Sequence, residues 1–427
     1  MHQNKIIVNY IPKLQAVDKS VAMIAELKRE NKQIFCISIL NIESKNQAED
    51  ASGLFELLSN VTDYFIVCEP SVLSKQARQI FDRYGVNYIV TKNFNSLSDE
   101  VLKHSINYDY KIVLLPYAGE KSETGKKLLG CLKKRNFRIV VYFKSIHDHG
   151  MGLSTVEKKD ESERTAVAYY LLIGKLIKKM VRGNFQYNLS KDDVDLVLAI
   201  NEQHRDIIRN RFPSSTPIMI SGYPLLYGAW WNLITNSSYV KEYNKSRKVN
   251  PCFDVVIFTR GETPGRPASD NVLPHTTLAQ ILSDIYSVIE SEFNEFRIRI
   301  KPHPIQDVNF LKNLISNWRC TTLDYNIPAL LSATSDLAIS TYSSTIIDSL
   351  IFNIPSIEYY IENDFFRRKH PAGSPFLRMG AIRVNNKKQF RETMKKIKDK
   401  KYRLPDIRHA LGNNNTITFD ELIRNFR

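Results

Sequence analysis

Short apolar runs alternate along this chain with longer amphipathic ones, and that alternation is its main structural signal. Lys5 to Tyr10, Gln33 to Leu40, Tyr64 to Cys68, Asn87 to Val90, Lys111 to Leu115 and Arg138 to Phe143 are too short for helices and rich in β-branched and aromatic residues, so they predict strands. Val17 to Glu30 and Leu73 to Tyr84 carry apolar residues at helical spacing. Val194 to Ile200 predicts another buried strand, and Ile218 to Ile220 precedes Ser221-Gly222-Tyr223-Pro224. A second series opens after Pro251-Cys252-Phe253-Asp254. It has strands at Val255 to Thr259, Phe296 to Ile300, Leu337 to Ile339 and Pro355 to Tyr359, and helices at Thr276 to Glu290 and Pro328 to Thr334. Strands alternating with helices imply parallel sheets covered by helices.

At 427 residues the chain exceeds one typical domain, and two α/β domains of roughly 200 residues each are expected. We place the first at 1–225 and a polar, tryptophan-bearing connection at 226–250. The second domain follows at 251–404, with a tail at 405–427 expected to pack back on the first.

Two runs in the last third carry most of the chemistry. Lys301-Pro302-His303-Pro304 closes a strand in which apolar residues alternate with Arg297, Arg299 and Lys301. Proline cannot donate to a sheet ladder and drives its predecessor to extended geometry, so His303 is held in a stiff turn at the strand's carboxyl end. In an open α/β sheet that end is the ligand edge. Thr341-Tyr342-Ser343-Ser344-Thr345 lies between the strand ending near Ser340 and a helical run from Ile346. Hydroxyls at such a junction, beside the positive end of a helix dipole, suit a phosphate. They equally suit an ordinary N-cap. Asp348, one helical turn beyond Ser344, can accept hydrogen bonds from the serine loop.

Two further loops bear on chemistry. After the second domain's first strand, Gly261 permits close backbone approach, and the Arg260 fork either binds phosphate or carboxylate in two places or lies solvated. After the strand at Arg138 to Phe143, residues 145–152 collect His147, Asp148, His149 and two glycines. Asp148, ahead of either histidine, is the candidate to take a proton from an attacking hydroxyl; a loop hydrogen-bonded to itself is the alternative. No third ligand for a metal is evident there.

The Lys301-Pro302-His303-Pro304 run, with Ile339 to Thr345 and Asn353-Ile354-Pro355, resembles the carboxyl-terminal half of bacterial GT-B glycosyltransferases of surface-polysaccharide synthesis, over about Val255 to Tyr360. It is most similar to enzymes using CMP-sugars: sialyltransferases and polysialyltransferases, with HP and Ser-Ser/Thr motifs, and capsular Kdo transferases. Asp148-His149-Gly150 resembles the acidic motif that supplies the base in polysialyltransferases, with His149 in place of an acid. Teichoic-acid glycerophosphotransferases carry a similar HP and Asp-Tyr-Ser-Ser pattern, but Thr341 stands where they often have Asp. Gly222-Tyr223-Pro224 is similar to a Gly-x-Pro that marks the exit from the first GT-B domain.

The resemblance implies two Rossmann-like domains facing each other across a cleft. It also implies transfer of sialic acid, Kdo or a related nonulosonate from a CMP-linked donor to a cell-surface polysaccharide or lipooligosaccharide. Donor contacts then fall to Lys301, His303, Pro304, Tyr342, Ser343, Ser344, Thr345, Arg260 and Gly261, with Glu358 at the ribose and Asp348 behind the serine loop. The nucleotide sugar is a substrate, so neither a resident cofactor nor a metal is expected. Alternatives are a CDP-glycerol or CDP-ribitol phosphotransferase, and a UDP-sugar transferase or 2-epimerase of similar fold.

A formal charge of +15 favours an anionic partner. The basic clusters at 126–135, 175–182 and 387–403 lack the interleaved aromatics of a nucleic-acid module, which argues against nucleic acid. A non-enzymatic basic protein binding nucleic acid or membrane is the contrasting class. Ala168 to Val181 has the pattern of a basic amphipathic helix, fit for an anionic inner membrane surface or for packing on a sheet. Five widely spaced cysteines without a CxxC pair read as reduced thiols. The first apolar run, Ile6-Ile7-Val8, is too short for a signal peptide, and no stretch reaches the roughly 18 apolar residues of a spanning helix. The expected location is cytoplasmic, peripheral on the inner membrane face.

Overall fold

The apolar runs pair as parallel strands, the central ones buried on both sides, because their backbone groups must be satisfied within a sheet. A computed structural model describes residues 4–11, 14–40, 52–67, 75–83, 85–91, 94–117, 123–143, 193–262, 273–304, 306–341, 343–359, 374–399 and 417–426. In the first domain β1 (Lys5–Ile11), β2 (Ile34–Leu40), β3 (Tyr64–Val67), β4 (Tyr88–Val90), β5 (Tyr110–Pro116), β6 (Arg138–Tyr142), β7 (Leu196–Ala199) and β8 (Ile218–Ile220) form one sheet. Their order is β4-β3-β2-β1-β5-β6-β7-β8, all parallel. The helices are α1 (Val17–Glu30), α2 (Ser52–Val61), α3 (Lys75–Arg83), α4 (Phe94–Ser105), α5 (Glu123–Lys133) and α6 (Glu202–Arg209). Every residue of β1 is buried. Ile7 and Ile11 join the core with α1 and α2, whereas Ile6 and Val8 face the core of α4 and α5.

The stretch read as a connection folds into two helices, α7 (Gly228–Thr235) and α8 (Ser238–Val249). Its tryptophans are anchors: Trp230 is fully buried in the α1 core, and Trp231 packs on Phe352, ring centroids 4.5 Å apart. Whereas α7 packs on α1, α8 is bonded to the second domain. Arg247 donates to Asp336 at 2.7 Å, Tyr239 to Asp324 at 3.1 Å, and Tyr243 to Asp254. Only the start of α8 looks back, where Ser238 donates through its amide and its hydroxyl to Glu56 of α2, both at 2.8 Å.

The second sheet holds β9 (Phe253–Phe258), β10 (Phe296–Lys301), β11 (Thr321–Leu323), β12 (Leu337–Ser340), β13 (Ser356–Tyr359) and β14 (Ile382–Val384), in the order β11-β10-β9-β12-β13-β14. All pairs are parallel. Its helices are α9 (His275–Glu292), α10 (Val308–Ile315), α11 (Pro328–Ser332), α12 (Ile346–Ile351), α13 (Pro375–Arg378) and α14 (Lys387–Lys398). Leu278, Ile281, Leu282, Ile285, Val288 and Ile289 line one stripe of α9 and bury it against the sheet. The opposite face mixes apolar Val256, Phe258 and Ala338 with buried polar groups. There Arg299, 2% exposed, donates to Thr334 Oγ1 at 2.8 Å and Ser335 Oγ at 2.9 Å, as a buried charge must.

The last helix, α15 (Phe419–Arg424), lies on the first domain. A Thr418/Glu421 capping box starts it, Phe419 and Leu422 enter the core that contains α1, and the Lys5 ammonium sits 4.5 Å over the Phe419 ring. Among the described residues no helix is long and apolar enough to cross a membrane. Phe419→Ala is expected to cost about 3 kcal/mol of stability in urea denaturation, while Ile106→Ala, on an exposed side chain, leaves the midpoint unchanged.

Candidate functional site

In the second sheet the strand order reverses between β9 and β12, and open α/β sheets bind ligands beyond the carboxyl ends of the strands at such a point. Three segments singled out from sequence leave the sheet there side by side: 259–262 after β9, 302–304 after β10 and 341–345 after β12. They are tied together. Thr341 Oγ1 accepts from the Arg260 amide at 3.0 Å, and the Thr259 amide donates to the Lys301 carbonyl at 3.1 Å.

The histidine turn is built on Gln306. Its amide closes the turn onto the His303 carbonyl at 2.9 Å, and its side-chain oxygen accepts from the His303 amide at 3.2 Å and from Thr259 Oγ1 at 2.9 Å. Pro304 is exposed on this turn and shapes it. Burial, with Arg260 and Lys301 close by, pushes the His303 imidazole down to about 4, so it is neutral near pH 7. The Lys301 ammonium donates to the Tyr325 carbonyl at 3.1 Å. Among the described residues the Arg260 guanidinium has no hydrogen-bond or ion-pair partner. Two cations and a neutral imidazole therefore gather where an anion would relieve the repulsion between the cations.

On the other flank the hydroxyls do not cap α12. Thr345, its N-cap residue, makes no side-chain cap bond; its hydroxyl pairs with that of Ser343 at 2.9 Å, and Ser344 is exposed. The Ser343 amide is taken by Ser340 Oγ at 2.6 Å, and among the described residues the Ser344 and Thr345 amides have no acceptor. The helix dipole expected from sequence is small, since α12 has six residues and its first turn closes with i→i+3 bonds. Anion donors here are hydroxyls and free amides.

Glu358 lies beside Ser340 in register, at the end of β13. It is fully buried, and among the described residues no group meets hydrogen-bond geometry with either carboxyl oxygen, although Ser374 and Arg383 are near. Burial raises its pKa to about 8. Asp348 is 6% exposed, and the charges of Asp18 and Lys19 in the first domain act on its carboxyl, which burial raises to about 7. His147, Asp148, His149, Tyr342 and the 168–181 segment lie outside the described residues.

Sequence reading passed over Gln306, Asp18 and Lys19, and gave Thr259 and Thr341 no bonding role of their own. Gln306 two residues after a Pro-His-Pro turn was a readable signal. The Asp18-Lys19 pair, at the start of an amphipathic helix, has the look of a solvated first turn. No protein-family model matches this sequence. No curated protein matches it either. Among solved structures, UDP-GlcNAc 2-epimerase from Methanocaldococcus jannaschii is 13% identical over 98% of both chains, with a TM-score of 0.54. The corresponding enzyme from Neisseria meningitidis, bound to UDP-GlcNAc, is 12% identical over 99% of both, with a TM-score of 0.50. The chain has the GT-B fold. At these identities the likeness reaches no further than the fold.

Within the GT-B frame, Gly261 and Glu358 give direct tests. A Cβ on Gly261 would lie 2.7 Å from Gln306 Nε2 and 2.7 Å from Leu278 Cδ2. Gly261→Ala is therefore expected to displace Gln306, free His303 and weaken nucleotide binding by about tenfold in calorimetry. Glu358 has a folded pKa above its unfolded value, so its contribution to stability is complete below about 4.5 and is lost as pH rises through about 8. Glu358→Gln is expected to stabilise the protein more at pH 9 than at pH 6, by about 2 kcal/mol, in paired thermal melts.

Proposed function

We propose that this chain is a glycosyltransferase that moves a sugar from a nucleotide-activated donor, CMP-linked sialic acid, Kdo or a related nonulosonate, to a cell-surface glycan or glycolipid. One observation carries the reading. Arg260 stands at the switch point of the second sheet, between the Pro-fixed His303 and the hydroxyl loop Ser343-Ser344-Thr345, and the three segments are bonded to one another. Adjacent strands lie about 5 Å apart, so donors from β10 to β12 span about 10 Å, enough for a phosphate and the sugar attached to it.

The reaction follows from these parts. Arg260, His303 and the hydroxyl loop hold the phosphate and stabilise the charge that grows on it as the bond to the anomeric carbon breaks. The acceptor hydroxyl forms the new bond to that carbon and gives its proton to a first-domain base, for which Asp148 is the proposed group, with His147 and His149 as alternates. CMP leaves. Glu358, a neutral carboxyl near neutral pH, is the proposed partner of the ribose hydroxyls. The basic surface suits an acidic glycan or an anionic inner membrane.

A second reading, a UDP-N-acetylhexosamine 2-epimerase or UDP-sugar transferase, is favoured by the end-to-end likeness to epimerases, one of them holding UDP-GlcNAc. Incubation with CMP-sugars and UDP-GlcNAc, following free CMP, free UDP and the epimer by NMR, separates the two. CMP release is expected, and its persistence in both His303→Ala and Ser343→Ala would place the site elsewhere. Phosphate beside His303 raises the imidazole pKa, so nucleotide affinity is expected to rise as pH falls from 8 toward 5.5, and to lose that slope in His303→Gln.

A further inference from the structure

The loop that follows β9 is fastened to the starts of both α9 and α10. The Arg260 carbonyl accepts from the Leu273 amide at 3.3 Å, and Gly261 and Leu273 form an isolated parallel bridge just before α9. The Glu262 carbonyl accepts from the amide of Asp307, the N-cap of α10, at 2.8 Å. The Glu262 carboxylate reaches His275, the first residue of α9, with Oε2 3.4 Å from Nδ1. That imidazole is fixed in turn. Its ring lies flat on Phe310 of α10, centroids 4.0 Å apart and planes 5° from parallel, and Asp307 Oδ1 accepts from the Phe310 amide at 3.2 Å. The contacts close a circuit that begins and ends at Glu262. His275 Nε2 is buried and has no partner among the described residues, so the proton of a neutral ring belongs on Nδ1, facing Glu262.

We propose that His275 is a positioning residue of the donor site: by engaging the Glu262 carboxylate it keeps that charge off the Arg260 guanidinium, which then meets the donor's phosphate unpaired. This rests on the reading above, in which Arg260 takes the phosphate. Cα atoms two residues apart are separated by at most about 7 Å, within the combined reach of an arginine and a glutamate, so a released Glu262 can close on the Arg260 fork. Such a pair would occupy the two-pronged donor that a phosphate needs and set a negative charge against an incoming anion. In the structure that pair is not made. Among the described residues the Arg260 guanidinium has no partner, and Glu262 is turned to His275 instead. Only 26% of the Glu262 side chain and 31% of the His275 side chain are exposed, so water screens their contact less than it would an open surface pair.

Calorimetry with CMP, together with NMR of the Arg260 Nε–H in the ligand-free protein, tests this. His275→Phe keeps the ring stack on Phe310 and deletes Nδ1. It is expected to weaken CMP about fivefold, the size of a partly exposed ion pair, and to slow exchange of the Arg260 Nε–H with water. Adding Glu262→Gln is expected to restore both, since no carboxylate is then left to compete, and Glu262→Gln alone is expected to bind CMP within about twofold of wild type. His275→Asn, whose amide nitrogen can stand where Nδ1 stood, is expected to keep wild-type affinity. Unchanged affinity and exchange in His275→Phe, or a loss that Glu262→Gln does not relieve, overturns the proposal and leaves His275 a packing residue. CMP binding that Arg260→Gln leaves unchanged, or no binding of CMP or UMP at all, overturns the donor reading and the positioning role with it, whereas the Nε–H exchange, measured without nucleotide, still reports the hold on Glu262.

Discussion

Because β9 pairs in parallel with β10 on one side and β12 on the other, Phe258 has Lys301 and Ser340 as its register partners. Three chain segments must leave the sheet together past those residues, and the only directions open are outward over the carboxyl edge. Whatever side chains follow the three strands are thereby brought within reach of one small ligand, without any loop needing to be long. Thr259 and Thr341 then fasten the middle segment to its neighbours. The chemistry at this edge is a consequence of strand order, and the apolar face under α9 is what maintains that order.

The same sheet separates an apolar face from one that carries buried charges. Residues of β9, β10 and β12 that point toward α9 are apolar, while the alternating set includes Asp254, Arg297, Arg299 and Lys301. Buried charges are costly unless bonded, and each of these is accounted for within the second domain or α8. Asp254 receives Tyr243 and pairs with Arg247 at 3.2 Å, and Arg299 is held by the end of α11 and the turn that follows it. Arg260 and His303 stand apart from this set, at the edge where the bonding of the sheet ends.

Strands and the longer helices were legible because their apolar spacing is local: α9 begins one residue before and ends two residues after the range read from sequence. The Lys301-Pro302-His303-Pro304 turn was legible for the same reason, since two prolines dictate its geometry from within. What escaped depends on distant partners. Trp230 and Trp231 in a polar stretch gave no local sign of being core, because the surfaces that bury them belong to α1 and α12. Lys19 looks solvated in the sequence, and its burial depends on elements far along the chain, the 3-10 turn at 224–226 among them, that pack on α1. The serines were read as donors beside a helix end, and the short helix that follows shifts that role to the hydroxyls and amides themselves. No residue pattern announces how many turns a helix will complete.

The two helices between the domains are fastened differently, α7 to the first and α8 to the second, with Asn236 and Ser237 between them. Along this connection, any rotation of one domain against the other would turn at those two residues, next to the point where Glu56 grips Ser238. A helix of twelve residues is about 18 Å long, so a swing of about 10° at the pivot carries its far end about 3 Å. In mechanical terms α8 is a lever arm with its fulcrum on one domain and its load, through Arg247 and Asp336, at the amino end of β12 in the other.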